Sequence, residues 1–282
     1  MDLIYHYTNA SALLGMFKNC SPKNPYITMW ATHALYLNDP TEYRYGKEVC
    51  HKLLQAVEEE LGIPEIDRLS VRMYEEQMQD HFKLIDMAYA QEPRQIGRGY
   101  PYVISFSKNR DTLSMWNTYA QRGNGIAIGF DKDELQRRCK QLKIKSCYYD
   151  IEDKDYSSVK NEIKRKYGQY QHRVMNDPAF APIDFMQYLH SEFAAYTKHK
   201  AYIEEREVRC KINQSDGILF REANGMVVPY VETKIPFECV KELIVGPTID
   251  KDRMNNSLFM LLASKKCKHG VQIEMSKIPY RG

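Results

Sequence analysis

Apolar residues recur along this chain with two different periods. Val49, Leu53, Ala56, Val57 and Leu61 fall three or four apart and share one face of a helix over Gly46–Leu61. Gly62-Ile63-Pro64 stops it. The same spacing predicts helices over Ser11–Lys18, Glu65–Tyr89, Thr112–Gln121, Lys132–Leu142, Tyr156–Met175, Ile183–Tyr196 and Lys251–Lys268, with Asp131 or Asp133 as the cap of the Lys132 helix. Shorter apolar or alternating runs predict strands over Leu3–Tyr7, Tyr102–Ser107, Gly125–Phe130, Ile144–Tyr149, Glu207–Ile212, Gly225–Val231, Lys241–Val245 and Val271–Met275. Strands and helices do not alternate regularly, which disfavours a doubly wound parallel sheet and favours an α+β fold. Residues 46–98 and 151–200 are helix-rich and charged. They read as two helical insertions decorating one mixed β core within a single domain spanning 1–282.

Charge and composition narrow the function classes. Forty basic against 37 acidic residues leave a net charge of +3, which gives no global argument for nucleic acid. Lys160, Lys164, Arg165, Lys166 and Arg173 supply a local basic face, most simply a solvated helix. A mean hydropathy of −0.58, no apolar run of bilayer length and no charged-then-apolar leader predict a cytoplasmic protein without a membrane partner. Seven scattered Cys without a CxxC pair fit reduced thiols better than a disulfide frame or zinc site, and His and Cys show no metal-ligand spacing. Twenty-one Tyr suit wet pockets and ring stacking.

Four stretches carry candidate chemistry. Tyr5-His6-Tyr7-Thr8 delivers an imidazole and a hydroxyl to the end of the first strand, as a half-buried edge or as one wall of a ligand cradle. Tyr36-Leu-Asn-Asp-Pro-Thr-Glu42 is a turn leading into a helix, with Asp39 and Glu42 available to a pocket. Ser105 and Ser107 share one strand face, with Phe106 on the other, and two hydroxyls on an apolar strand need partners or a wet site. Trp116 and Tyr119, three apart on the next helix, share a face as core or as a stacking surface. Gly123, Gly125 and Gly129 have the wrong interval for a phosphate-cradling loop and lead into a strand. If Glu205–Lys211 is one strand, Glu205, Glu207 and Arg209 lie together, lining a polar cleft or forming a weak solvated pair.

In order along the chain, Tyr-His-Tyr-Thr, Leu-Asn-Asp-Pro-x-Glu, Ser-Phe-Ser, Met-Trp-x-x-Tyr-Ala, Gly-x-x-Ile-Gly-Phe, Tyr-x-x-Glu-x-Glu-Val-Arg, Leu-Ile-Val-Gly-Pro and Ile-Pro-Tyr-Arg resemble the bacterial domain-of-unknown-function family 2971. More distantly, His6, Ser105-Phe106-Ser107 and Glu205-x-Glu207 resemble the ordered elements of ADP-ribosyltransferases. Tyr7 stands where the His–Tyr–Glu branch carries Gly, and Phe106 where another carries Thr.

That second resemblance implies a split-sheet β core that binds NAD as substrate, with no metal. It implies transfer of ADP-ribose to a macromolecular acceptor, protein, DNA or RNA, by a bacterial toxin or antiphage effector. Glu207 would bond the ribose 2′-hydroxyl and Glu205 would orient or deprotonate the acceptor. His6, Tyr7 and Thr8 would fix ribose and amide, and Ser105, Ser107, Trp116, Tyr119 and Arg209 would complete the NAD site. The alternatives are an NAD glycohydrolase on the same scaffold and a non-catalytic nucleotide- or nucleic-acid-binding module. Oligomeric state is not legible.

Overall fold

The computed structural model describes residues 2–38, 42–71, 100–149, 155–174, 181–214, 217–223, 225–247, 250–266 and 270–279. Among these residues ten strands build one sheet: β1 (Leu3–Thr8), β2 (Tyr26–His33), β3 (Tyr102–Ser107), β4 (Ile126–Asp131), β5 (Lys143–Ser146), β6 (Glu207–Ile212), β7 (Leu219–Ala223), β8 (Met226–Pro236), β9 (Val240–Val245) and β10 (Gln272–Met275). The main path runs β10-β9-β4-β1-β3-β2-β8-β7, and β6 joins it from the side, pairing with β3 and β5. Pairing is antiparallel except between β9 and β10. The sheet is therefore mixed, and with the helices on it the chain is α plus β, as its pattern predicts.

The helices are α1 (Ala10–Phe17), α2 (Glu42–Glu60), α3 (Leu113–Tyr119), α4 (Lys132–Arg138), α5 (Asp155–Val174), α6 (Ala181–Glu192) and α7 (Lys251–Lys265) among the described residues. Asp131 caps α4 by accepting from the Glu134 N–H at 3.1 Å. The helix expected over Glu65–Tyr89 begins instead with a 3-10 turn at Glu65–Asp67, and most of its length lies outside the described residues. Strands β2 and β7 are absent from the sequence expectation. In β2, Ile27, Met29, Ala31 and His33 are buried and alternate with less buried residues, so its period of two was readable.

Three apolar clusters hold the layers together. The largest joins the sheet to α1, α4 and α7 through residues such as Leu13, Phe17, Phe130, Leu135 and Leu258. A second lies under α3 and contains Tyr5, Tyr7, Met115 and Trp116. The third unites α2, α5 and α6 around Leu54, Val57, Ile163, Tyr167 and Leu189. The described helices of the two expected insertions, α2, α5 and α6, thus share one helical layer. Gly46 is required there, because a Cβ would lie 2.4 Å from the Ala194 carbonyl oxygen. Strand β6 ties this layer to the sheet: Arg209 Nη1 donates to Ala195 O at 2.8 Å, and Lys211 Nζ to Ser191 O at 2.6 Å.

One irregularity of the sheet positions the site. Strand β3 pairs along its whole length with β6 on one edge. On the other edge it meets β1 only at Ser107 and β2 only at Val103 and Tyr102. Ile104, Ser105 and Phe106 have no ladder partner there, so β1 and β2 diverge and the sheet opens between them.

Candidate functional site

The opening in the sheet is a cleft of about 760 Å³, within the size range of small-molecule sites. His6, Tyr7 and Thr8 at the end of β1 line it, as do Ser105, Tyr119, Glu205, Glu207 and Arg209. An unpaired strand edge leaves carbonyl and N–H groups that need partners. His6 supplies one: its Nδ1 lies 2.9 Å from Ser105 O. Because a carbonyl only accepts, Nδ1 carries the proton, and Nε2 of the neutral ring is an acceptor. Burial lowers the His6 pKa, opposed by the Ser105 carbonyl and reinforced by Arg221, so the ring is neutral at pH 7.

Register divides these side chains between two sides of β3. Ser105 lies opposite Arg209 and Ser107 opposite Glu207, so these four share a face. His6 meets Phe106 edge-on at 6.0 Å on the other side. Both sides contribute to the cleft walls because the gap passes between them.

The far wall is a buried charge network. Arg209 donates from Nε to Glu207 Oε1 at 2.8 Å and from Nη2 to Glu207 Oε2 at 3.0 Å, and it also pairs with Glu42. Lys198 Nζ bridges Glu205 Oε2 at 2.6 Å and Glu207 Oε2 at 2.8 Å. Tyr119 donates to Glu205 Oε1 at 2.8 Å, and the Glu207 N–H donates to Tyr149 Oη at 2.6 Å. Burial works against the charge on Glu207, but Arg209 and Lys198 outweigh it and hold the carboxyl at about 2. Burial, with Glu207 nearby, pushes Glu42 the other way, against the pull of Arg209. Three carboxylates facing two cations leave the wall with a surplus of negative charge whenever Glu42 is ionised.

Several expected site residues take structural roles. Ser107 is fully buried; its hydroxyl donates to Glu205 O at 2.6 Å and accepts from Asn109 N at 2.9 Å, so it pins the chain before β6 and does not line the cleft. Trp116 is also fully buried, donates from Nε1 to Asp111 Oδ1 at 2.6 Å, and packs edge-on against Tyr7 at 4.9 Å. It is core and cannot stack on a ring in the cleft, while Tyr119, on the same helix, reaches it. Glu205 is not on a strand. It ends a 3-10 turn over Lys200–Glu205, and Arg206 in the left-handed region (φ 44°) redirects the chain into β6. Arg209 is 2% exposed and committed to Glu42, Glu207 and Ala195, so it positions the carboxylates.

The basic residues of α5 are largely engaged: Lys160 and Lys164 pair with Glu60, and Lys166 lies over the Tyr188 ring. Asp39 lies outside the described residues, whereas Glu42 lines the cleft. Lys198 opens the run that holds Glu205 and Glu207, but its sequence position assigns it no role. Its role depends on a chain reversal that spacing does not encode. No group of His, Cys, Asp and Glu poised to hold a metal occurs among the described residues, and no described helix is long and apolar enough to cross a membrane.

No curated relative and no solved structure matches the chain. Residues 115–210, from α3 to the middle of β6 and including Tyr119, Lys198, Glu205, Glu207 and Arg209, match the family model described as "Protein of unknown function (DUF2971)".

Proposed function

We propose that this protein is an ADP-ribosyltransferase that cleaves NAD at the nicotinamide–ribose bond and passes ADP-ribose to a macromolecular acceptor. One observation carries the reading: Glu207, held ionised by Arg209 and Lys198, sits on the wall of a cleft also lined by His6, Thr8, Ser105 and Tyr119. Loss of nicotinamide leaves the ribose C1′ with oxocarbenium character, and a carboxylate fixed beside it lowers that charge's energy. Arg209 Nε, Arg209 Nη2 and Lys198 Nζ occupy three acceptor positions of Glu207. A fourth lone pair is left for the ribose 2′-hydroxyl.

Glu205 is the more open carboxylate, 15% exposed against 6%. It takes the acceptor's proton as the acceptor attacks C1′ and nicotinamide leaves with the bonding pair. Neutral His6 accepts a ribose hydroxyl at Nε2, and Tyr119 packs on the nicotinamide ring.

The test is incubation with NAD labelled in the adenylate half, with and without cell extract, DNA and RNA. Label on protein or nucleic acid supports transfer, and free ADP-ribose alone supports a glycohydrolase. Glu205→Gln should lower transfer more than hydrolysis, whereas Glu207→Gln should abolish both. Wild-type protein that leaves NAD intact under every condition sinks both enzyme readings.

A further inference from the structure

The cleft has a second pole, opposite in sign to the Glu207 wall. Arg221 on β7 lines it beside Trp30 and Thr32 of β2. Its guanidinium lies 5.8 Å from the Trp30 ring and 6.0 Å from the Tyr230 ring, and Nη2 donates to Thr32 Oγ1 at 3.0 Å. No carboxylate pairs with it among the described residues. Its Nε is buried without a hydrogen-bond partner. Every other cation named in the cleft, Lys198 and Arg209, is matched by carboxylates. A partly buried guanidinium whose Nε has no partner is costly unless something anionic completes it. Its planar fork, backed by two aromatic rings, suits the oxygens of a phosphate.

We infer that Arg221 is the anion-binding subsite of the cleft and takes the phosphate or pyrophosphate group of the ligand. The unpartnered Nε and the free Nη protons supply the donors, and Trp30 and Tyr230 hold the guanidinium plane. A ligand spanning the cleft would place its phosphates at Arg221 and its cationic or electron-poor end at Glu207 and Glu205. That polarity deepens the proposed NAD reading, on which the choice of a nucleoside diphosphate rests. The anion subsite itself requires no cleavage chemistry.

The experiment titrates the full chain with ADP, adenosine and inorganic pyrophosphate by calorimetry and by tryptophan fluorescence. Trp30 abuts the subsite, and Trp116, the second of two Trp, is buried away from it. ADP should bind more tightly than adenosine, with an affinity that falls as salt rises. Arg221→Gln should weaken ADP about tenfold or more while leaving adenosine unchanged. ADP tighter than pyrophosphate assigns the anion to a nucleotide, and equal affinities assign it to free pyrophosphate. Either supports the subsite.

If Arg221→Gln loses its fold, Arg221→Lys decides, since the single ammonium cannot reproduce the guanidinium fork: ADP affinity below the wild type's supports the subsite, and ADP affinity equal to the wild type's overturns it. ADP binding no tighter than adenosine, or unchanged in Arg221→Gln, also overturns it. ADP binding without NAD turnover would leave the subsite standing and the transferase reading failed.

Discussion

Replacing Lys198 by Met removes one ammonium and keeps an unbranched stem of similar bulk. In the native protein that ammonium lies 2.6 Å from Glu205, 2.8 Å from Glu207 and 3.9 Å from Glu42, on a side chain only 5% exposed. The variant leaves three carboxylates facing Arg209 alone. Removing one member of a buried pair costs about 3 to 5 kcal/mol. Proton uptake by a carboxylate caps the loss, so we expect about 4 kcal/mol at pH 7, read from urea unfolding.

The pH dependence is the sharper check. Glu207 sits at about 2 against an ordinary value of 4.5. A depressed carboxyl stabilises the fold above its unfolded pKa and loses that stabilisation as pH falls through the folded one. The shift corresponds to about 3 kcal/mol, present at pH 7 and lost between about pH 4.5 and 2. Lys198→Met surrenders part of it in advance, so the gap between variant and wild type should narrow across that window. A loss below about 1 kcal/mol at pH 7, or a gap constant from pH 7 to 3, would refute the view that Lys198 helps to hold Glu207 ionised.

Glu42, whose pKa burial raises, is destabilising once pH exceeds the ordinary carboxylate range. Glu42→Gln keeps an oxygen acceptor for Arg209 and should therefore match or exceed wild-type stability at pH 8, with a smaller advantage at pH 5, by urea unfolding at both. Trp116→Phe should cost about 1 to 3 kcal/mol through the lost Asp111 bond and packing. It should preserve the fluorescence response to ADP, which Trp30→Phe should abolish. Gly46→Ala forces a Cβ toward the Ala194 carbonyl and should cost about 1 to 3 kcal/mol in thermal or urea unfolding, without changing ligand affinity.

Much of the fold was legible because local periodicity encodes it. Tyr102–Ser107 and Glu207–Ile212 form strands at the expected bounds, and α5 and β9 begin within a residue of expectation. The end of α6 was not legible: after Glu192 the chain tightens into a 3-10 turn at Ala194–Tyr196, buried against α2 where only Gly46 allows the approach. Neither was the shared helical layer, because an apolar stripe on a helix specifies a partner surface without naming it.

The candidate site divides along the same line. The sequence by itself set its chemistry: an imidazole ending the first strand, a Ser on the third, and two carboxylates two residues apart ahead of an Arg. Tertiary structure decided who uses that chemistry. The single-residue meeting of β1 with β3, at Tyr5 and Ser107, opens the sheet and exposes the Ser105 edge to His6. Ser107 and Trp116, with residue types as suggestive as their neighbours', become frame because their polar atoms are satisfied inside it. Lys198 enters the cleft from the far end of the run that holds Glu205 and Glu207, and Arg221 from a strand with no local mark. Charge is a pairwise quantity, so whether a cation is spent on a neighbour or left for a ligand is fixed only when distant strands meet.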